Sequence, residues 1–211
     1  MTGQRESPAI HPEQAAALCR IGRLFGKRQW CLATGGNFSL RADARHCLIT
    51  RSGKDKSTLG PGDLMLCDLD SAAIDARLKP SAEAALHTAL YRQDRAIGAV
   101  LHTHSVTSTV LSRALASDLT VSGFEMQKAI RGVRSHEESL TIALFENTQD
   151  MDELAAAVVA RLISGTLAAP GFLVRGHGLY AWGADLGEAQ RHVEGFEFLL
   201  ACALKERQAA P

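Results

Sequence analysis

The chain carries no surplus of charge. Its 23 Lys and Arg are matched by 23 Asp and Glu, so the formal net charge is zero with His neutral. A nucleic-acid binder normally presents a strongly basic face, and that footprint is missing. A small, locally basic pocket is still compatible with a zero sum. Long apolar runs are missing too. No segment reaches the ~18 uninterrupted apolar residues of a spanning helix, so no membrane partner is expected. Residues 1–13 are polar, hold Pro8 and Pro12, and lack the apolar stretch of a secretory signal. Cysteine is sparse and scattered: Cys19, Cys31, Cys47, Cys67 and Cys202 are odd in number and form no C-x-x-C. That argues against a disulfide framework or a thiolate zinc site, and for reduced thiols in the cytoplasm. A bound metal would then rest on imidazole and carboxylate. Neither G-x-x-x-x-G-K-[ST] nor G-x-G-x-x-G occurs, so nucleotide binding has no support. There is no internal repeat and no low-complexity stretch.

What is present is an ordinary globular composition. Apolar residues make up 46% and charged residues 22% of 211, enough to bury a core. We read one domain over 1–211, with 1–11 and 206–211 as loose tails. Pro12 suits the first turn of a helix reaching about Gly26, and Ala17, Leu18, Ile21, Leu24 and Phe25 fall at helical spacing. Short strands are expected at 38–40, 46–50 and 63–68. Ser81 is expected to cap a helix carrying Leu86, Leu90 and Tyr91. A buried strand over 97–104 runs into a helix at 105–115. Further elements are a strand at 140–145, a helix at 152–164, a strand pair over 171–182 and a closing helix from Asp185. Strands and helices are interspersed, which makes the class α/β.

His102-Thr103-His104 closes the apolar strand. Residues i and i+2 of a strand face one side, so both imidazoles aim at one spot and can supply two ligands to a cation. Two hydrated histidines at a strand exit would leave the same pattern. A third ligand must come from elsewhere, and His177 in Arg175-Gly176-His177-Gly178 is a candidate because flanking glycines allow close approach. A histidine in a glycine-rich turn is the plainer alternative. Glu83 falls in the first turn of its helix, where the dipole favours a carboxylate with or without catalysis. Glu125 lies between Phe124 and Met126. An apolar setting would raise its pKa and suit acid–base work, while an exposed glutamate is the simpler reading. The turns Thr34-Gly35-Gly36-Asn37-Phe38-Ser39 and Thr50-Arg51-Ser52-Gly53-Lys54 can offer N–H groups to an anion, with Lys54 and Lys56 adding charge and Ser81 a third contact.

Taken together these pieces resemble the class II aldolase family. The matching features run in order: Gly36-Asn37-Phe38-Ser39, Ile49-Thr50-Arg51-Ser52-Gly53, Lys79-Pro80-Ser81-Ala82-Glu83, His102-Thr103-His104 and Gly176-His177-Gly178. The resemblance implies a three-layer α/β/α fold with a mostly antiparallel central sheet. It implies a divalent metal, usually zinc, one per subunit, on His102, His104 and His177. It implies a sugar phosphate substrate, its phosphate held by Asn37, Thr50, Ser52, Gly53 and Ser81, and a homotetramer with sites at subunit contacts. Gly123 to Ala129, Phe145 to Met151 and His177 to Gly183 are similar to a branch of the family that dehydrates a ketose 1-phosphate. In that branch the residue matching Glu125 is the general acid/base. Glu83 matches the catalytic glutamate of the aldolases. Cleavage of a ketose 1-phosphate, or a non-catalytic adducin-like module, are the alternatives the family offers.

Overall fold

Strand parity splits the core in two. The structure, a computed structural model, describes residues 9–209. The chain forms α1 (Pro12–Lys27), β1 (Asn37–Arg41), β2 (His46–Thr50), β3 (Leu64–Asp68), α2 (Ala84–Gln93), β4 (Ala99–Thr103), α3 (Val106–Ala114), β5 (Leu119–Val121), β6 (Leu140–Phe145), α4 (Met151–Ile163), β7 (Gly171–Val174), β8 (Gly178–Gly183) and α5 (Leu186–Ala209). The strands make one sheet in the order β3-β2-β1-β4-β8-β7-β6-β5. Every pairing described is antiparallel except β6 with β7. On β4, Ala99 and Leu101 join the core shared with α1, α3 and α5, whereas Val100 joins the core shared with α2 and α4. Alternation therefore sends one face of each strand to each helical layer. The result is the expected three-layer α/β/α arrangement.

The element boundaries mostly follow the sequence, with two instructive shifts. Ser81 does not cap α2. A turn over 81–84, closed by the Ala84 N–H to the Ser81 carbonyl at 3.0 Å, comes first, and the helix starts at Ala84. Glu83 is thus the residue before the first helical turn rather than within it. The end expected to be loose from 206 is helical through Ala209. Residues 1–8 and 210–211 of the expected tails lie outside the described residues, and His11 stands at the start of α1. The Asp185 carboxylate accepts from the Glu188 N–H at 2.8 Å, as a capping acid should.

The topology collects chain ends at one edge of the sheet. Asn37 begins β1, Thr50 ends β2, Thr103 ends β4, Gly178 begins β8 and Val174 ends β7. Their directions alternate, so all five positions share that edge. Two glycines make the close packing there possible. A Cβ on Gly36, which has φ +73°, would meet the His102 carbonyl oxygen at 2.5 Å. A Cβ on Gly178 would meet the Thr103 carbonyl oxygen at 2.0 Å. Both distances are sterically forbidden, so any larger residue would push β1 or β8 off the strand that carries the histidine pair.

Candidate active site

The histidine pair straddles the end of β4, with His102 in the strand opposite Asn37 on one side and Tyr180 on the other, and His104 just past it. His177 sits in the β7–β8 turn and Glu83 just ahead of α2. One ligand atom from each of Glu83, His102, His104 and His177 lies within 4.8 Å of the others. The Nε2 atoms of His104 and His102 are 2.7 Å apart, and those of His102 and His177 are 3.3 Å apart. Glu83 Oε1 is 2.9 Å from His177 Nε2 and 3.6 Å from His102 Nε2. The other Glu83 oxygen accepts from the Asn37 side-chain amide.

The donor chemistry of this cluster fits a cation. His102 Nδ1 faces the Leu179 carbonyl oxygen at 2.9 Å. A carbonyl only accepts, so Nδ1 carries the proton and Nε2 turns a bare lone pair toward the cluster. Burial pushes His102 toward the neutral form and takes His104 down to about 3. Burial acts on Glu83 in the opposite sense, but contacts with His102 and His177 outweigh it and hold the carboxyl well below the usual range. Three imidazoles and a carboxylate gathered this closely form a donor set that suits a cation. Tyr180 stacks on the His102 ring with centroids 3.7 Å apart, which fixes the ring plane.

Beside the cluster opens a cavity of about 720 Å³. Gly36, Asn37, Ser52, Gly53, Ser81, Glu83, His104 and His177 line it, which brings together most of the positions expected to act. Asn147, Gln149 and Met151 line it from the β6–α4 side.

Three expected site residues are placed elsewhere. Thr50 is fully buried, and its hydroxyl accepts the Phe38 N–H at 3.2 Å, so it fastens β1 to β2 instead of facing the cavity. Lys54 turns away and pairs with Asp63 at 2.9 Å. Glu125 does not lie in a buried apolar setting. Its side chain is 71% exposed, bonded to the Lys128 ammonium and 3.5 Å from His136. Lys128 accordingly leads in lowering its pKa, the reverse of the rise expected from Phe124 and Met126.

Two cations line the cavity, Arg51 and Lys56, and the buried one is Lys56, which charge counting noted but did not single out. Only 2% exposed, it donates from Nζ to the Thr34 carbonyl at 2.6 Å and the Lys54 carbonyl at 2.7 Å. It therefore ties the two glycine-bearing turns together. Alternation cannot signal this, because Lys56 lies in a short 3₁₀ turn outside any strand.

Fold and site define a class II aldolase-type protein, and residues 16–204 match the family described as Class II Aldolase and Adducin N-terminal domain, to which this chain belongs. Among its relatives, the methylthioribulose-1-phosphate dehydratase of Serratia proteamaculans is 50% identical over 92% of this chain and 96% of its own length. The protein of that name from Pectobacterium atrosepticum is 48% identical over 92% and 95%. A crystal structure of l-fuculose-1-phosphate aldolase from Thermus thermophilus is 25% identical, with a TM-score of 0.74 over 94% of this chain and 98% of its own. A second L-fuculose 1-phosphate aldolase, at 22% identity and a TM-score of 0.78 over 97% and 92%, shares the fold.

Proposed function

We propose that this chain is a methylthioribulose-1-phosphate dehydratase, a hydro-lyase of methionine salvage. It takes 5-methylthioribulose 1-phosphate to 2,3-diketo-5-methylthiopentyl 1-phosphate and water. The observation that carries the reading is the convergence of Glu83, His102, His104 and His177 beside a cavity lined by the Gly36–Asn37, Ser52–Gly53 and Ser81 turns. Relatives of that name at about 50% identity support it over nearly the whole chain.

Zinc, one ion per subunit on His102, His104 and His177, supplies Lewis-acid polarisation of the ketose C2 carbonyl when bound. Ser52, Gly53 and Ser81 hold the phosphate, with the buried Lys56 ammonium behind them. They anchor C1 so that C3 is presented to a carboxylate, which is the positioning share of catalysis. Glu83 orients substrate and ligands, its carboxylate fixed by Asn37. Glu125 takes the proton from C3 and returns one to the C4 oxygen, which leaves as water. The enol then tautomerises to the diketone. Glu125 lies outside the lining of its own chain's cavity and is open to solvent, so it acts in the cavity of a neighbouring copy within a homotetramer. We place the enzyme in the cytoplasm, in keeping with its free thiols.

The test is one assay panel on the purified, zinc-loaded protein. Methylthioribulose 1-phosphate should yield the diketone, and fuculose and rhamnulose 1-phosphates should yield no aldehyde. Aldehyde release without diketone would overturn the dehydratase reading in favour of an aldolase.

A further inference from the structure

Behind the histidine pair, on the opposite face of the sheet, lies a carboxylate that the reaction does not use. Glu197 projects from α5 and is 4% exposed. It accepts the Thr103 hydroxyl at 2.9 Å and the Ser105 hydroxyl at 2.6 Å. Thr103 is the residue between the two histidines, and strand alternation turns its side chain away from them, toward the layer of α1, α3 and α5. Ser105 follows His104 and caps α3 by accepting the Ser108 N–H at 3.0 Å. Glu197 thus grips the residues on both sides of His104.

The two histidines differ in how they are held. His102 has a strand on each side, a ring nitrogen on the Leu179 carbonyl and Tyr180 stacked on its face. His104 lies past the last ladder pair of β4. Its backbone N–H reaches the Trp30 carbonyl at 2.7 Å, and among the described residues no hydrogen bond holds its Nδ1. Apart from its contacts with His102 and His177, the ring of His104 is placed by its backbone, which is held by Trp30 on one side and by Glu197 through both neighbours.

Glu197 is also an expensive way to hold a turn. Among the described residues it has no ionic partner, and Arg28 beside it in the adjoining cavity pairs with Glu194 at 3.2 Å. A buried carboxyl without a cation costs stability that an apolar residue would not. A purely architectural position would be better filled by leucine or glutamine.

We propose that Glu197 is a positioning residue for the metal centre, clamping Thr103 and Ser105 from the far face of the sheet and so setting the separation of the His102 and His104 ligand nitrogens. The inference rests on the reading that the three histidines hold a divalent cation.

Competition titration of the metal-stripped protein with Zn²⁺ against a chelating indicator tests it, with a thermal melt of each metal-free variant alongside. Glu197→Ala should weaken Zn²⁺ binding ~10–100-fold, the scale for losing a partner that orients a ligand. Thr103→Val keeps the volume and removes one donor, and should weaken binding by a smaller factor; it carries the test if Glu197→Ala does not fold. Glu197→Gln can still accept from one hydroxyl and donate to the other, and should restore most of the affinity. Unchanged Zn²⁺ affinity in Glu197→Ala and Thr103→Val, with only a lowered melting temperature, would reduce Glu197 to an architectural role and overturn the proposal. If the unaltered chain itself binds no stoichiometric Zn²⁺, the metal reading fails and the proposal with it, a pattern distinct from the first.

Discussion

Glu83 at the cavity edge and Glu125 in the 123–138 segment are held in opposite ways. Glu83 is 18% exposed and locked among Asn37, His102 and His177. Glu125 is 71% exposed and paired with Lys128 on its own short turn and with His136 further along the segment. Flexible surface pairs of that kind contribute little and exchange easily, so Glu125 can trade Lys128 for another partner at small cost. Glu83 cannot move without disturbing the ligand cluster. A carboxylate that must shuttle a proton between two substrate atoms needs the first kind of freedom, and one that orders ligands needs the second kind of restraint. The contrast fits the different work proposed for the two acids, which their shared residue type does not reveal.

The largest effect that would test this contrast is loss of the metal. His177→Ala leaves two imidazoles and Glu83, and stoichiometric zinc should vanish on elemental analysis of the purified variant. Retention of zinc would remove His177 from the ligand set. Next, Glu125→Gln should keep zinc and lose turnover by ~10²-fold or more, the general acid–base scale. Mixing it with inactive His177→Ala under conditions that exchange subunits should restore part of the activity, because a hybrid pairs an intact Glu125 from one copy with intact histidines from another. Failure to complement would place Glu125 and the histidines in one chain's site and break the contrast.

A smaller effect separates the two lysines. Lys56→Met should raise KM for the phosphate substrate by roughly tenfold, because it removes a buried ammonium that ties both turns. Lys54→Met should change KM by less than about twofold, since an exposed pair with Asp63 is all it loses. Equal effects would return Lys54 to the phosphate subsite.

A separate test, read in stability and not in turnover, concerns the rear of the site. Burial raises the Glu197 carboxyl to about 7, with the Ser105 and Thr103 hydroxyls pulling the other way. Its value in the unfolded chain is near ~4.3, so the folded state binds more protons between those values. Stability therefore falls as pH rises through that window, and the penalty is complete above about 7. Arg28, Arg191 and Glu194 line the cavity on which it borders. Metal-free Glu197→Gln should have a flatter stability–pH curve, differing from the unaltered chain by up to ~3 kcal/mol between acid and neutral pH in urea unfolding. Parallel curves would show that Glu197 does not titrate in this range.

Much of the site could be read from local pattern because local geometry creates it. The period of a strand is enough to put His102 and His104 on one side, and glycines on either side of His177 mark a turn that can approach closely. The Gly36 and Ser52–Gly53 turns were visible for the same reason. The apolar setting expected for Glu125 is absent because Phe124 and Met126 are its neighbours in sequence, whereas Lys128 and His136 are the groups beside its carboxylate. Thr50 and Lys54 misled because a turn's composition does not say which side chains face inward. Lys54 finds Asp63 nine positions along, and Thr50 finds a backbone N–H on the adjacent strand.

The opening absences set firm bounds. Zero net charge spoke against a nucleic-acid partner, scattered cysteines pointed any metal to imidazole and carboxylate, and none of the described helices is long and apolar enough to cross a membrane. The sequence by itself also determined the α/β class, most element boundaries and the pairing of two histidines on one face. Tertiary structure alone decided which distant groups meet. Glu83 and His177 reach the histidine pair because alternating strand directions bring their turns to one edge of the sheet. Lys56 replaces Lys54 at the cavity because a short turn folds it inward. Glu197 reaches the Thr103 side chain because α5 packs on the face that the histidines avoid. Sequence periodicity carries information over a few residues, whereas these contacts join residues tens of positions apart and exist only once the layers close.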